Sequence, residues 1–273
     1  MSYQSTSLRL RASDGVEVPA VLVEPREARG SFLLLHGIST DKDEYLGFLA
    51  GVAEDLGDAG YRSLRIDFRG HGESDVPPAD FTVGSQLLDV LAAIVHLREI
   101  SKVPVNLFGC SFGAPPCLLA SLWAQDSIGS IALLAPVLDY RRTFIEPESQ
   151  WGLETFPAEA VRDCLESGAP IPLSDDFAVG PRLLASMLHS DLPSVTSNLR
   201  RPVQIFHGEA DGMVALRISQ DAAERNPNLE LHQFPHMEHG FTHDGDEDGT
   251  QEETRANVRR MIALLLAGAD ANG

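Results

Sequence analysis

Apolar positions along the chain follow two alternating periods. Ser7–Arg11 and Val16–Val23 are β-rich stretches joined through Ser13-Asp14-Gly15, which predicts an antiparallel hairpin opening the chain. Phe32–Leu35 is a continuous apolar run, as a strand buried on both faces would be. Tyr45–Ala59 has helical periodicity and stops at Gly60, a residue suited to the end of a helix. Tyr61–Phe68 then reads as a strand, Val83–Ile100 as a long amphipathic helix, Val103–Phe108 as a strand, Phe112–Ala124 as a helix and Ile128–Leu134 as a strand.

Between Asp139 and Asn198 this rhythm breaks. The stretch holds Pro147, Pro157, Pro170, Pro172, Pro181 and Pro193, with short helical patches over Ala158–Ser167 and Pro181–Leu188. It predicts an inserted cap or lid, so the expected organisation is a core of residues 1–138 and 199–273 with a cap of residues 139–198. The alternation resumes with a strand at Val203–Phe206, a helix at Ala215–Asn226, a strand at Leu229–Phe234 and a closing helix near Glu252–Leu266. Strands alternating with helices imply an α/β fold, with a mostly parallel sheet covered on both faces.

Composition narrows the partners. The chain has 273 residues, 43% of them hydrophobic, enough for a large single core. Its 21 basic against 40 acidic residues give a net charge of −19, which argues against nucleic acid or an anionic membrane as a partner. Cys110, Cys117 and Cys164 are dispersed and odd in number, so neither a disulfide framework nor a zinc site is expected. The polar start and the absence of any apolar run near 20 residues point to a cytoplasmic protein without a membrane span. Self-association as a homodimer is left open.

The chemistry enters at Gly109-Cys110-Ser111-Phe112-Gly113. This G-x-S-x-G string joins a buried strand directly to a helix, where a sharp turn lifts the serine hydroxyl above the sheet. Serine needs a base, and the base needs an orienting carboxylate. His207-Gly208-Glu209-Ala210-Asp211 follows the resumed strand, and His236-Met237-Glu238-His239-Gly240-Phe241 follows the next. The order Ser111, Asp211, His239 places all three beyond strand ends, where open α/β sheets build their sites. His236 and His243 compete with His239 as the base, and Glu209 competes with Asp211 as the acid.

Several segments together resemble the α/β-hydrolase superfamily over nearly the whole chain. Leu33-Leu34-Leu35-His36-Gly37 resembles its oxyanion-loop strand. Asp67-Phe68-Arg69-Gly70-His71-Gly72-Glu73-Ser74 resembles its D-x-R-G-H-G-x-S segment, and His239-Gly240-Phe241 its base segment. The wording from His36 to Tyr45, with a cap inserted after Asp139, is most similar to cinnamoyl/feruloyl-esterase-like serine hydrolases. The resemblance implies an eight-stranded sheet, catalytic Ser111, Asp211 and His239, and an oxyanion hole made by the backbone N–H groups of Ile38 and Phe112. It implies a small-molecule ester substrate, with an aromatic or medium-chain acyl group suggested by Phe144, Trp151, Phe156, Phe177, Met187 and Leu188. No metal or organic cofactor is required. Cys110 departs from the histidine common at that position. Thioesterase, acyltransferase, C–C bond hydrolase and cofactor-free haloperoxidase chemistry all tolerate the same triad, while a non-catalytic ligand-binding role is the alternative from another class, and the intact triad argues against it.

Three further features have plainer readings. Asp244-Gly245-Asp246-Glu247-Asp248-Gly249 copies the start of an EF-hand loop, but Arg255 stands at its twelfth position, so acidic residues favouring the start of the last helix are the simpler reading. Arg69, Arg141 and Arg142 read as solvated or internally paired rather than as anion-binding. The acidic run Asp244–Glu253 predicts a negative field at His239 that disfavours anionic substrates.

Overall fold

The computed structural model describes residues 3–271, so the terminal pairs 1–2 and 272–273 of the expected core lie outside the described residues. β1 (Tyr3–Arg11) and β2 (Glu17–Pro25) form the opening antiparallel hairpin. β1 starts four residues earlier than the apolar pattern predicts. It is an edge strand, so Gln4, Ser5, Thr6 and Ser7 face solvent and carry no hydrophobic alternation.

The chain continues through β3 (Ser31–Leu35), α1 (Phe48–Asp58), β4 (Arg62–Ile66), α2 (Val83–Ile100), β5 (Val105–Cys110), α3 (Ala114–Trp123) and β6 (Ile128–Leu134). Residues 139–198 carry α4 (Gln150–Thr155), α5 (Ala158–Ser167), a small hairpin of β7 (Ile171–Pro172) and β8 (Ala178–Val179), α6 (Pro181–Leu188) and α7 (Leu192–Asn198). β9 (Val203–Gly208), α8 (Leu216–Arg225), β10 (Leu229–Phe234) and α9 (Glu252–Asp270) complete the chain.

Eight strands make one sheet in the order β1-β2-β4-β3-β5-β6-β9-β10. β2 runs antiparallel to both of its neighbours, β1 and β4; the remaining pairs from β4 to β10 are parallel. The central strands read as unbroken apolar runs because both faces are covered. Leu33, Leu35, Leu107 and Leu133 turn to one face and pack with Val90, Leu97, Leu118 and Ile218 of α2, α3 and α8. Phe32, Leu34, Phe108 and Phe206 turn to the other and pack with Leu49, Leu56, Met261 and Leu265 of α1 and α9. Fully burying each such side chain contributes about 1.5–3 kcal/mol, which fixes the register of β3 and β5 and thereby the height of the turns above them.

A third cluster covers the C-terminal edge of the sheet. Tyr140, Phe144, Phe156, Leu183, Leu184 and Met187 from residues 139–198 pack there against Ile38, Phe81, Phe112 and Val214. Arg142 also joins this segment to α8, bonding Glu148 and, at 2.8 Å, Asp221, while Arg141 pairs with Glu146. Arg69 is buried between Asp89 and Asp14 at 2.7 and 2.6 Å, so none of the three arginines is a free anion site.

Two predicted helices begin later than their periodicity suggests. Tyr45–Gly47 is a 3₁₀ turn with Leu46 at φ 52° and Gly47 at φ 70°, so α1 starts only at Phe48. Ser111–Gly113 is likewise a 3₁₀ turn, and α3 starts at Ala114 with Pro115 and Pro116 in its first turn, where their missing N–H groups leave no helical bond unmade. No helix among the described residues is long and apolar enough to cross a membrane.

Candidate active site

Ser111 stands directly after β5 with φ 48°, a left-handed conformation that costs a non-glycine residue free energy. Its neighbours allow it. A Cβ at Gly109 would lie 2.6 Å from the Gly113 carbonyl oxygen, and one at Gly113 would lie 2.4 Å from the Leu35 carbonyl oxygen. Only glycine lets β5, α3 and β3 approach so closely, and that approach holds the turn.

The structure brings Ser111, His239 and Asp211 together. His239 Nε2 lies 3.0 Å from Ser111 Oγ, and His239 Nδ1 lies 2.8 Å from Asp211 Oδ2. With Nδ1–H donating to the carboxylate, Nε2 is the acceptor facing the serine hydroxyl. The Asp211 side chain is wholly buried, yet well supplied with donors. Its Oδ1 accepts the Met213 and Val214 backbone N–H groups, each at 2.9 Å, and its Oδ2 accepts His207 Nε2–H at 3.1 Å as well as His239. Burial alone would raise the Asp211 carboxyl, but the His239 charge and the bonds from both imidazoles outweigh it and hold it well below the usual range. For His239 burial lowers the pKa, but Asp211 and then Glu44 more than reverse this, leaving it above its ordinary value.

The competing residues lie elsewhere. Glu209 is exposed. His236 meets His243 at a tilt, with ring centroids 5.5 Å apart, and His243 Nδ1 meets the Asp244 carbonyl at 3.2 Å. Cys110 is buried beside the turn, and burial pushes its thiol pKa far up, so it stays protonated and a poor nucleophile. His36 accepts the Phe68 N–H at 3.1 Å and donates to the Gly37 carbonyl at 2.7 Å, tying the β3 turn to the β4 turn. Lys42 reinforces that tie through its ammonium on buried Asp67 at 2.9 Å.

Ile38 lies in the turn after β3 and Phe112 follows Ser111 in the turn after β5, and both side chains are buried in the cluster at the sheet edge. The EF-hand-like loop is used otherwise. Asp246 accepts the Thr250 and Gln251 N–H groups at 3.0 and 3.1 Å and the Thr254 hydroxyl at 2.5 Å, which secures the entry to α9. Among the described residues no group of three or more His, Cys, Asp or Glu is arranged to hold a metal ion.

Above Ser111 opens a cavity of about 670 Å³. One wall is apolar: Val137, Phe144, Trp151, Met213 and Val214. The other carries Glu44, Glu238, Asp244 and Glu247, and no Lys or Arg lines it among the described residues. Two features around the Ser111–His239–Asp211 arrangement escape a motif reading. His207 acts on the acid from behind, a role its position four residues before Asp211 hints at. Glu44 reaches back to the glycine before Ile38, accepting the Gly37 N–H at 2.5 Å. The carboxylates acting on His239 are therefore Asp211 and Glu44 rather than the acidic run after it.

Known proteins share this architecture. The model of the alpha/beta hydrolase fold family matches residues 30–169, and that of the dienelactone hydrolase family matches residues 189–267. Among characterised sequences, the 2-(acetamidomethylene)succinate hydrolase of Mesorhizobium japonicum is 23% identical over 252 residues, 82% of this chain and 87% of that protein. Est1E from Butyrivibrio proteoclasticus, solved with ferulic acid bound, superposes with a TM-score of 0.75 at 22% identity, covering 95% of this chain and 99% of its own. The esterase Pf2001 of Pyrococcus furiosus gives 0.65 at 20% identity, with 97% and 93% coverage. At these identities the structural likenesses establish the fold.

Proposed function

The chain belongs to the alpha/beta hydrolase fold family, and from that premise we propose that it cleaves carboxylic esters through an acyl-enzyme on Ser111. The observation that carries this reading is the continuous relay Ser111–His239–Asp211, at 3.0 and 2.8 Å, opening onto a cavity large enough for a small organic ester.

In the proposed mechanism His239 Nε2 takes the Ser111 proton as the oxygen attacks the ester carbonyl. Asp211 keeps the imidazole in the required tautomer and stabilises the imidazolium. The Ile38 and Phe112 backbone N–H groups receive the developing oxyanion, each worth about 3–4 kcal/mol of activation free energy. His239 then protonates the departing alcohol, the C–O bond breaks, and a water activated by the same imidazole releases the acid. Residues 139–198 serve as the cap, and their Phe144 and Trp151 wall favours an aromatic or medium-chain acyl group. Ferulic acid in Est1E supports that size of acid.

Thioesters and C–C bonds could meet the same relay. The relative from Mesorhizobium acts, by its name, on a succinate, a dicarboxylate. The carboxylate-lined wall of this cavity, with no Lys or Arg lining it among the described residues, is poorly matched to such an anion.

A fluorophosphonate should label the wild type and leave Ser111→Ala unlabelled. A panel of p-nitrophenyl acyl esters, methyl hydroxycinnamates and acyl thioesters, compared by kcat/KM, then separates the chemistries. Equal labelling of Ser111→Ala removes the serine assignment, and thioester turnover without ester turnover removes the ester reading.

A further inference from the structure

The catalytic cavity has two chemically different walls, built by different parts of the fold. The apolar wall belongs to the cluster under residues 139–198, through Ile38, Val137, Phe144 and Val214. The acidic wall belongs to the turns after β3 and β10, which are joined to each other. Tyr45 packs so closely on Gly240 that a Cβ there would meet its ring at 2.8 Å; its hydroxyl donates to the Glu247 carbonyl at 3.3 Å, and Phe48 meets Phe241 edge-on.

Glu44 is the member of that wall bonded to the turn after β3. Its Oε2 accepts the Gly37 N–H at 2.5 Å and its Oε1 the Tyr45 N–H at 3.1 Å. A methyl group added at Gly37 would sit 3.3 Å from Oε2 and 3.3 Å from Ser111 Cβ, so the carboxylate and the nucleophile face each other across the glycine. The backbone of Glu44 is held at φ 65°, ψ 175°, a region almost reserved for glycine, and such strain persists where the surroundings impose it. Tyr45 and Phe48, one and four residues further along the chain, line the same cavity.

A carboxylate beside an oxyanion site opposes negative charge on the substrate and favours positive charge. Aromatic faces beside it favour an ammonium group, which they attract through the ring quadrupole. We propose that Glu44 is a specificity-determining residue that selects esters whose alcohol portion carries an ammonium group, the amino-alcohol esters, while the apolar acyl group lies along the Phe144–Trp151 wall. This rests on the ester-hydrolase reading above and adds to it the class of leaving group.

The test compares 2-(trimethylammonio)ethyl 3-phenylpropanoate with 3,3-dimethylbutyl 3-phenylpropanoate, which has the same shape with carbon in place of nitrogen. Each kcat/KM is divided by the ester's own hydroxide-catalysed rate, so that only recognition remains. The wild type should prefer the cationic ester by about tenfold or more, the scale expected for two charges a few ångströms apart near a protein surface. Glu44→Gln retains an acceptor for the Gly37 N–H but loses the charge, and its preference should fall to within about twofold of unity. In the unmodified protein the preference should shrink between about 20 mM and about 0.5 M salt, a readout independent of how the variant folds. A second pair, methyl 3-aminopropanoate and methyl butanoate, places the cation on the acyl side, and there no preference is expected. Turnover of both phenylpropanoates with equal, salt-independent efficiency overturns the inference alone. A cation preference confined to the acyl pair overturns the assigned orientation. No turnover of any ester, in protein that still takes up fluorophosphonate, overturns the ester reading and this inference with it.

Discussion

Replacing His207 with leucine tests whether the acid of the relay is held from behind. Asp211 is buried, and its Oδ2 is shared by two imidazoles, His239 at 2.8 Å and His207 at 3.1 Å. His207 Nε2 also meets the Val214 carbonyl at 3.1 Å; with acceptors on both sides, it must carry the hydrogen. Its Nδ1 is fixed by Ser219 Oγ at 2.8 Å, so the ring cannot turn away. A hydrogen bond to a charged group contributes about 1.5–3 kcal/mol. At about 1.4 kcal/mol per factor of ten, its loss should slow turnover about ten- to hundredfold. The Met213 and Val214 N–H groups still pin Oδ1, so the loss should stay well below the roughly 10⁴-fold that removing the carboxylate's charge costs such a triad. Asp211 stands behind the imidazole and does not touch the ester, so kcat should carry the effect and KM should stay nearly constant. His207→Gln restores an N–H donor and should recover part of the rate. The assay is kcat and KM on the best ester of the panel, with circular dichroism to establish folding. A folded His207→Leu protein with kcat within twofold of wild type would refute the reasoning.

Because His239 must be unprotonated to act and its pKa is raised, kcat/KM should fall on the acid side with a midpoint above about 6.5. Asp211→Asn removes the largest raising charge, so residual activity should show a lower midpoint; a wild-type midpoint below 6.5 contradicts this. Lys42→Met strips the ammonium from buried Asp67, which keeps only the Lys42 and Glu73 N–H bonds, and should cost about 3 kcal/mol in urea unfolding. A neutral result would mean that the two N–H groups suffice. Gly113→Ala forces a methyl into the Leu35 and His36 carbonyls, and a loss near 3 kcal/mol is expected by the same measurement. Ser111→Gly relieves the positive φ that Ser111→Ala keeps, so the glycine variant should be the more stable by up to about 1 kcal/mol despite its greater unfolded-chain entropy. The reverse order would show that the turn is unstrained.

The periodicity of the chain carries most of the sheet, because strands buried on both faces must be apolar throughout, as β3 and β5 are. It fails where burial is one-sided or where backbone rather than side chains decides. The start of β1 escapes notice because an edge strand has no second face to bury. Only the first turn of the helix expected from Tyr45 is missing, because Leu46 and Gly47 turn left-handed while Glu44 reaches back to bond the Gly37 N–H, which no periodicity of apolar positions reports. The candidate relay is legible for a different reason. Each member follows a strand end in a short motif, so chain order alone brings Ser111, Asp211 and His239 to one edge of a parallel sheet. His207 and Glu44 have no motif of their own, and their roles emerge only from the distances to Asp211 and Gly37.

Backbone strain in this protein is concentrated rather than scattered. Among the described residues the non-glycine positions with positive φ are Ser39, Glu44, Leu46, Ser111, Ala135, His236 and Phe241, all in turns after β3, β5, β6 and β10. Ser39, Glu44, Ser111 and Ala135 line the cavity above Ser111, and His236 and Phe241 bracket His239 in the chain. Each such residue costs about 1–3 kcal/mol, a sum that a marginally stable chain cannot spread over mobile loops. It is tolerable here because the turns spring from strands locked by buried side chains, Phe32 and Leu34 on β3, Leu107 and Phe108 on β5, Leu133 on β6 and Phe234 on β10, whose burial sets where the turns begin. The same sheet that makes the fold readable from its apolar runs thus holds the turns in conformations their own residues would not choose. Those conformations aim Ser111 at His239 and Glu44 at Gly37, so the rigidity of the core is what gives the site its directions.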